Sequence, residues 1–421
     1  MTLIKTSLLN GIAVVIKMLT LLGINKVLAV YVGPAGYAAL GQFQNAIQMI
    51  TTFASGALNA GVTKYTAEYY EDEEKQRIVW RTAGTISIIG SVLTGLLVIL
   101  FRKPLAGWFL KEESYSGVFV WFAATLVFFV LNTLLLAILN GKKEIHRYVV
   151  ANIAGSLFSL LVTSLMAIQY GLYGALVALA IYQSLAFVVT LMLCYKASWF
   201  KLRYIIGGIE KESAKNLARY TAMALTSAAC VPISHILVRN HLGETLGWEA
   251  AGYWEAMWRL SAAYLMLVTT TLSVYYLPRL SELQDIAAIK HEIIQGYKII
   301  VPIVAACGLC IYLLRGFIIQ VLFTADFESM EVLFAWQMIG DILKISSWLL
   351  AYLMLAKAMM KTFVISEIVF AFSFYVLTIV FTDEFQLEGI AIAYAVNYLI
   401  YWMAMSFVIT RYGKRLSESG Y

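Results

Sequence analysis

Leu172-Tyr173-Gly174-Ala175-Leu176-Val177-Ala178-Leu179-Ala180 returns 215 residues later as Leu387-Glu388-Gly389-Ile390-Ala391-Ile392-Ala393-Tyr394-Ala395, with Leu, Gly and two Ala unchanged. The same offset carries Phe119 and Trp121 onto Phe334 and Trp336, Leu135 onto Leu350, Lys142 onto Lys357 and Ile153 onto Ile368, and sets Lys64 opposite Arg279. No gap is needed. Identity is sparse, so the shared register of apolar blocks carries the argument. It predicts an internally duplicated, membrane-spanning helical bundle, the usual build of a secondary transporter, with the binding site between the repeats.

Composition agrees. With 61% apolar and 13% charged residues the chain is not a soluble domain. Runs of about twenty apolar residues, long enough to cross roughly 30 Å of hydrocarbon, occur at 8–32, 38–62, 81–101, 118–140, 148–169, 172–195, 216–239, 250–276, 297–319, 332–356, 362–382 and 388–410. Of the 31 Lys and Arg, 22 fall on one side of these spans and five on the other, with four inside them. By the positive-inside rule both termini are expected in the cytoplasm. The net charge of +6 then reflects topology, and no nucleic-acid partner is implied. Lys17 interrupts the first apolar run and no small-residue cleavage site follows, so the start is not read as a cleavable signal peptide.

The longest connection, 196–215, carries Gly207-Gly208, and the stretch 196–219 has six Lys and Arg. It sets expected lobes at 1–200 and 216–421, joined by a cytoplasmic linker over 201–215. Segments 64–81 and 279–298 are expected to form amphipathic cytoplasmic helices. Pro232 and Pro302 fall inside spans, where proline removes a backbone donor and kinks the helix. All four cysteines lie in spans, and Cys307-Gly308-Leu309-Cys310 stands without a second pair, so a structural role is expected and no metal.

Charged groups in lipid are expensive and mark function. Lys17 sits mid-span and Lys26 nearer the outer end, where it can snorkel. His235 and Arg239 stack four residues apart, with Arg239 near the rim; Glu255 and Arg259 are an i, i+4 pair, and Asp341 and Lys344 an i, i+3 pair. Both couples are readable as internal ion pairs or as substrate contacts. Glu367 stands alone. Five embedded cations against three acids leave a positive balance that suits an anionic ligand. Gln44, Asn45 and Gln48 belong to a polar stripe expected to line an aqueous cavity, whereas Asn152, Ser156, Ser159 and Thr163 are read as helix packing. Trp254 and Trp258 suit either sugar faces or the outer interfacial belt. The expected cavity group is therefore Lys17, Lys26, Gln44, Asn45, Gln48, Arg239, Glu255, Arg259, Asp341 and Lys344, with Asp341 or Glu367 available to a coupling ion.

No phosphate-binding glycine loop or catalytic triad stands out, and no cofactor is implied; the chain is not read as an enzyme. Gly33-Pro34-Ala35-Gly36, Gly61-Val62-Thr63-Lys64-Tyr65, Ser273-Val274-Tyr275-Tyr276-Leu277-Pro278, Leu333-Phe334-Ala335-Trp336-Gln337 and Gly340-Asp341-Ile342-Leu343-Lys344 resemble the Wzx-type lipid-linked oligosaccharide flippases of the multidrug/oligosaccharidyl-lipid/polysaccharide exporter (MOP) superfamily. The likeness runs essentially end to end. It implies an all-α membrane fold of twelve helices in two six-helix lobes, acting by alternating access in the bacterial inner membrane. The implied cargo is an undecaprenyl-pyrophosphate-linked repeat unit for O-antigen or enterobacterial common antigen. Implied partners are membrane lipid and a polysaccharide polymerase with its chain-length regulator, the chain itself acting as a monomer. In that likeness Lys17, Lys26, Asp341 and Lys344 match polar positions of relatives. The alternative is a drug or organic-cation antiporter of the same superfamily, which a positive cavity disfavours.

Overall fold

The computed structural model describes residues 3–283, 285–357 and 359–418, with side chains placed within 11–218, 225–283, 285–357 and 359–412. Among the described residues every regular element is helical. The long helices are α1 (Leu3–Tyr31), α2 (Gly33–Ala54), α3 (Asn59–Glu68), α4 (Glu73–Leu100), α5 (Ser116–Gly141), α6 (Ile145–Tyr195), α7 (Lys211–Thr245), α8 (Trp248–Thr271), α9 (Ile286–Leu313), α10 (Phe334–Ala356) and α11 (Met360–Glu418). Eight stretches among them are long and apolar enough to cross a membrane.

The repeat is written into the backbone. Helices α2 and α8 start at residues 33 and 248, α5 and α10 end at 141 and 356, and α6 and α11 start at 145 and 360, every pair 215 apart. Lys142 and Lys357 follow the ends of α5 and α10 in turn. The two longest helices, of 51 and 59 residues, each contain one break, at Gly171 (φ 54°, ψ −134°) and at Gln386 (φ 52°, ψ −132°). Those positions are again 215 apart.

Segments 64–81 and 279–298 are not single amphipathic helices. In each, a short helix stops, at Glu68 or Glu282, and a new one starts and continues into an apolar span as α4 or α9. An acid makes each restart: Asp72 accepts from the Lys75 N–H at 3.1 Å and Asp285 from the Ala288 N–H at 2.9 Å.

Two compact units divide between Ile236 and Leu237, inside α7 and beyond the 201–215 segment. Unit 1 has a core of Val62, Tyr65, Trp80, Leu134, Leu135, Ile138 and Leu139. Unit 2 has Leu280, Leu349, Leu350, Leu353 and Met354 at the positions equivalent to five of these. Because lipid is as apolar as leucine, such packing depends on close fit, and small residues supply it. A Cβ built on Gly84 would lie 2.0 Å from the Ile205 carbonyl oxygen, so only glycine lets the 201–208 stretch lie against α4. Thr85 Oγ1 then bonds both the N–H and the carbonyl of Gly207 at 3.0 Å.

Candidate functional site

In unit 2, α7 and α8 bring two arginines to one carboxylate. Glu255 Oε2 accepts from Arg239 Nε at 3.0 Å and from Nη2 at 2.7 Å, while Oε1 accepts from Arg259 Nε at 2.8 Å. The i, i+4 spacing forms the Glu255–Arg259 pair as read. Arg239, however, is no rim anchor: it is 2% exposed and lies 5.4 Å from the ring of Trp254, itself fully buried. A buried arginine needs charge-assisted partners for its donors, and Nε and Nη2 of Arg239 converge on the single oxygen Oε2 of Glu255. Two cations on one anion leave a formal charge of +1 in the cluster.

The second cluster shares α8 and uses α10 and α11. Asp341, fully buried, accepts from Ser261 Oγ at 2.7 Å and Tyr264 OH at 2.8 Å on one oxygen. On the other it accepts from Tyr394 OH at 2.8 Å and Gln337 Nε2 at 3.4 Å. It is thus held by four neutral donors. Among the described residues no ion pair joins it to Lys344, so the i, i+3 pair of the sequence reading does not form. Lys344 instead lies in an aromatic box, 4.6 Å from the ring centre of Trp258, 5.1 Å from Trp348, 5.8 Å from Tyr398 and 6.0 Å from Tyr394. Ring quadrupoles stabilise the ammonium from their faces. Gly340 makes room for this arrangement, since a Cβ there would come within 2.3 Å of the Tyr394 ring. Trp254, Trp258 and Tyr394 stand in ring contact at 6.0 and 5.7 Å, which links the two clusters inside unit 2. Trp254 is therefore a packing partner of the ion cluster and no belt residue. Glu367, on the first half of α11, is half-buried, and among the described residues it carries no ion pair.

In unit 1 the polar stripe of α2 splits by role. Gln44 and Gln48 are exposed, whereas Asn45 is buried and donates to the Pro232 carbonyl at 3.5 Å. Gln42, one turn earlier, does the same to Ile236 at 3.5 Å, so the buried amides tie α2 to α7. Lys26 is half-buried. Lys17 opens onto a cavity together with Thr20, Asn132, Asn152, Ser156, Tyr182 and Gln183. The sequence reading passed over Ser261, Tyr394, Tyr398, Asn132, Tyr182 and Gln183. Only the i, i+4 placement of two tyrosines at 394 and 398 inside an apolar span hinted at any of them.

Among the described residues, helices alone, eight apolar spans, buried ion clusters and repeated breaks define a multi-pass membrane protein built like a secondary transporter. Solved structures agree on the fold. An inward-facing multidrug resistance MATE family transporter of the MOP superfamily matches with a TM-score of 0.76 at 16% identity, over 94% of this chain and 96% of its own. The lipid II flippase MurJ, in an inward closed conformation, matches with a TM-score of 0.76 at 13% identity, over 97% of this chain and 87% of its own. The lipid III flippases of Escherichia coli (strain K12) and Shigella flexneri are each 30% identical over 406 residues, covering 96% of this chain and 97% of theirs. The polysaccharide biosynthesis protein family model matches residues 3–284. The chain belongs to that family, as an inner-membrane protein of the Wzx type.

Proposed function

We propose that the chain carries an undecaprenyl-pyrophosphate-linked oligosaccharide of the enterobacterial common antigen type from the cytoplasmic to the periplasmic leaflet by alternating access. The observation that carries this reading is the end-to-end likeness to lipid III flippases, 30% identical over 96% of the chain. The ion clusters support it. The first embeds two cations, Arg239 and Arg259, against the one anion Glu255, a positive balance that a pyrophosphate needs in a medium where its hydration is lost. A cationic drug would be repelled by the same groups, which disfavours the antiporter alternative.

We further propose twelve spans with both termini cytoplasmic. Dividing each of the two longest helices at its break turns the eight apolar stretches into ten. Helices α2 and α7, more polar but long enough, bring the number to twelve. The lobes of the transport cycle are taken as 1–200 and 216–421, and the cavity group as Lys17, Lys26, Gln44, Asn45, Gln48, Arg239, Glu255, Arg259, Asp341 and Lys344, with Asp341 or Glu367 binding a coupling ion. A monomer working beside a polymerase and its chain-length regulator completes the reading.

Deletion of the gene should trap the lipid-linked oligosaccharide on the cytoplasmic leaflet, measured by its inaccessibility to an external glycosidase in intact spheroplasts, and should abolish one surface glycan. Unchanged surface glycans together with lowered tolerance of cationic dyes would instead establish the antiporter.

A further inference from the structure

We infer that unit 2 holds a site for one acyl chain of an anionic phospholipid, in a groove between α9, α10 and the second half of α11. The inference takes from the proposed topology that α9 starts at the cytoplasmic face; the transported cargo plays no part in it. The groove has a volume of about 530 Å³, within the range of about 300–1,000 Å³ typical of ligand sites.

The internal repeat shows what belongs there. In unit 1 the start of α4, the end of α5 and the end of α6 meet around Trp80, Leu135, Ile138 and Cys194. Helix α6 stops at Tyr195, and the chain that follows turns back and buries Ala197, Phe200 and Ile205 in this same core. Counting from the starts of α4 and α9 at 73 and 286, and by 215 in the other helices, the equivalents of the first four are Ile293, Leu350, Leu353 and Ile409, all of which line the groove. Helix α11 does not stop there. Thr410, the counterpart of Tyr195, lies inside a helix that continues to Glu418, so among the described residues no returning stretch closes the groove of unit 2.

The lining selects an apolar occupant with an anionic head. Tyr297 OH donates to the Ser346 carbonyl at 2.5 Å and accepts from Trp402 Nε1 at 2.7 Å. Ser406 and Thr410 donate to carbonyls of their own helix at 2.8 Å. These polar groups are partnered within the protein, and most of the remaining wall is aliphatic. Among the described lining residues Lys290 is the one charged group; it is exposed and stands one turn inside the start of α9. A lysine so placed lays its stem along the wall and lifts its ammonium to headgroup level, where it attracts the anionic lipid of the cytoplasmic leaflet. Length agrees. From Ile286 to Tyr297 α9 rises about 16 Å, close to half of the roughly 30 Å hydrocarbon core, which is the depth one acyl chain occupies. An undecaprenyl tail is far longer.

The test uses the full-length protein in detergent micelles, with dioleoylphosphatidylglycerol, dioleoylphosphatidylcholine and undecaprenyl phosphate as probes. Binding is read by native mass spectrometry and by the rise in unfolding temperature. Phosphatidylglycerol should bind at least about tenfold more tightly than phosphatidylcholine, a ratio that one charge-assisted hydrogen bond supplies. Lys290→Gln should bring it down to the phosphatidylcholine level. Lys298→Gln, which removes an exposed cation of the same helix outside the groove, should leave the preference intact. Ser406→Trp fills the groove and should remove the saturable binding of both phospholipids; if that variant fails to fold, Thr410→Trp, at an exposed position of the same wall, should do so. Equal binding of the two phospholipids, an equal loss of preference in Lys298→Gln and Lys290→Gln, or saturable binding that survives the tryptophan would overturn the proposal. Undecaprenyl phosphate binding more tightly than phosphatidylglycerol would make this a carrier-lipid site and overturn it as well. No transport is measured, so failure here leaves the spheroplast assay to judge the flippase reading separately.

Discussion

Replacing Glu255 by Gln removes the anion that two arginines share. Three charge-assisted hydrogen bonds of 2.7–3.0 Å end on this carboxylate, each worth about 1.5–3 kcal/mol. Their sum overstates the loss, because Arg259 keeps 14% of its side chain exposed and regains hydration. Arg239, at 2%, has no such recourse. Removing one partner of a buried ion pair costs about 3–5 kcal/mol, and we expect Glu255→Gln to fall near the middle of that range. Denaturant unfolding of the protein in mixed micelles, monitored by tryptophan fluorescence, gives the free energy. The double change Arg239→Met/Glu255→Gln separates the stranded charge from lost packing. It should recover at least about 2 kcal/mol of the loss, since methionine fills the space with no charge to desolvate. A Glu255→Gln protein within about 1 kcal/mol of the parent, or a double variant less stable than the single one, would refute this account of the cluster.

Gly340→Ala should push the Tyr394 ring off Asp341 and cost about 1–3 kcal/mol by overpacking, read by the same unfolding assay; Gly316→Ala, where a Cβ meets nothing within 4 Å, serves as the control. Tyr264→Phe and Tyr394→Phe should each cost about 1 kcal/mol, the worth of one buried hydrogen bond to Asp341, and a double-mutant cycle should show their coupling through it. Lys17→Gln should fail to restore the surface glycan to a deletion strain while Lys17→Arg restores part of it, scored by immunoblot of the polymer. Backbone N–H bonds, from Lys75 to Asp72 and from Ser213 to Glu210, hold both carboxyls below their ordinary range. Their contribution is therefore complete above the usual carboxylate pKa and disappears as pH falls through the depressed value. Hydrogen exchange at the Lys75 and Ser213 amides should quicken, relative to neighbouring helix, only on that acid side.

What the sequence disclosed was whatever is periodic or local. The 215-residue offset matched the starts of α2 and α8 and of α6 and α11 and the ends of α5 and α10 to the residue, and the i, i+4 spacing found Glu255 and Arg259 together. Contacts between distant residues stayed hidden. Arg239 meets Glu255 across 16 residues, and Asp341 meets Ser261, Tyr264 and Tyr394 across 80, 77 and 53. Periodicity says which face a residue occupies, but it does not say which neighbour that face meets. The i, i+3 spacing of Asp341 and Lys344 misled for a related reason: hydroxyls from two other helices reach the carboxylate, and aromatic rings from those helices reach the ammonium. In unit 1 the small polar residues of α6 read as packing, because nothing local shows that α1 and α5 leave a space in front of them.

The break at residue 386 bears on how such a chain ages. Glycine occupies the equivalent position, 171, at almost the same angles, in a region that side chains enter at a cost of order 1–3 kcal/mol. At Gln386 the second copy makes the same bend without the residue best suited to it. Length has drifted even less. Between residues 33 and 171 and their counterparts 248 and 386, insertions and deletions cancel to nothing, although loops normally absorb such changes freely. Within that balance α4 and α9 start and end 213 residues apart, at 73 and 286 and at 100 and 313, so a two-residue shift opens before these helices and closes after them. An engineer who grafts a segment of one half onto the other inherits a ruler that shifts along the chain: cuts 215 apart keep α2 and α6 in phase with α8 and α11, cuts within α4 and α9 must lie 213 apart, and a cut one residue out turns the following helix by about 100°.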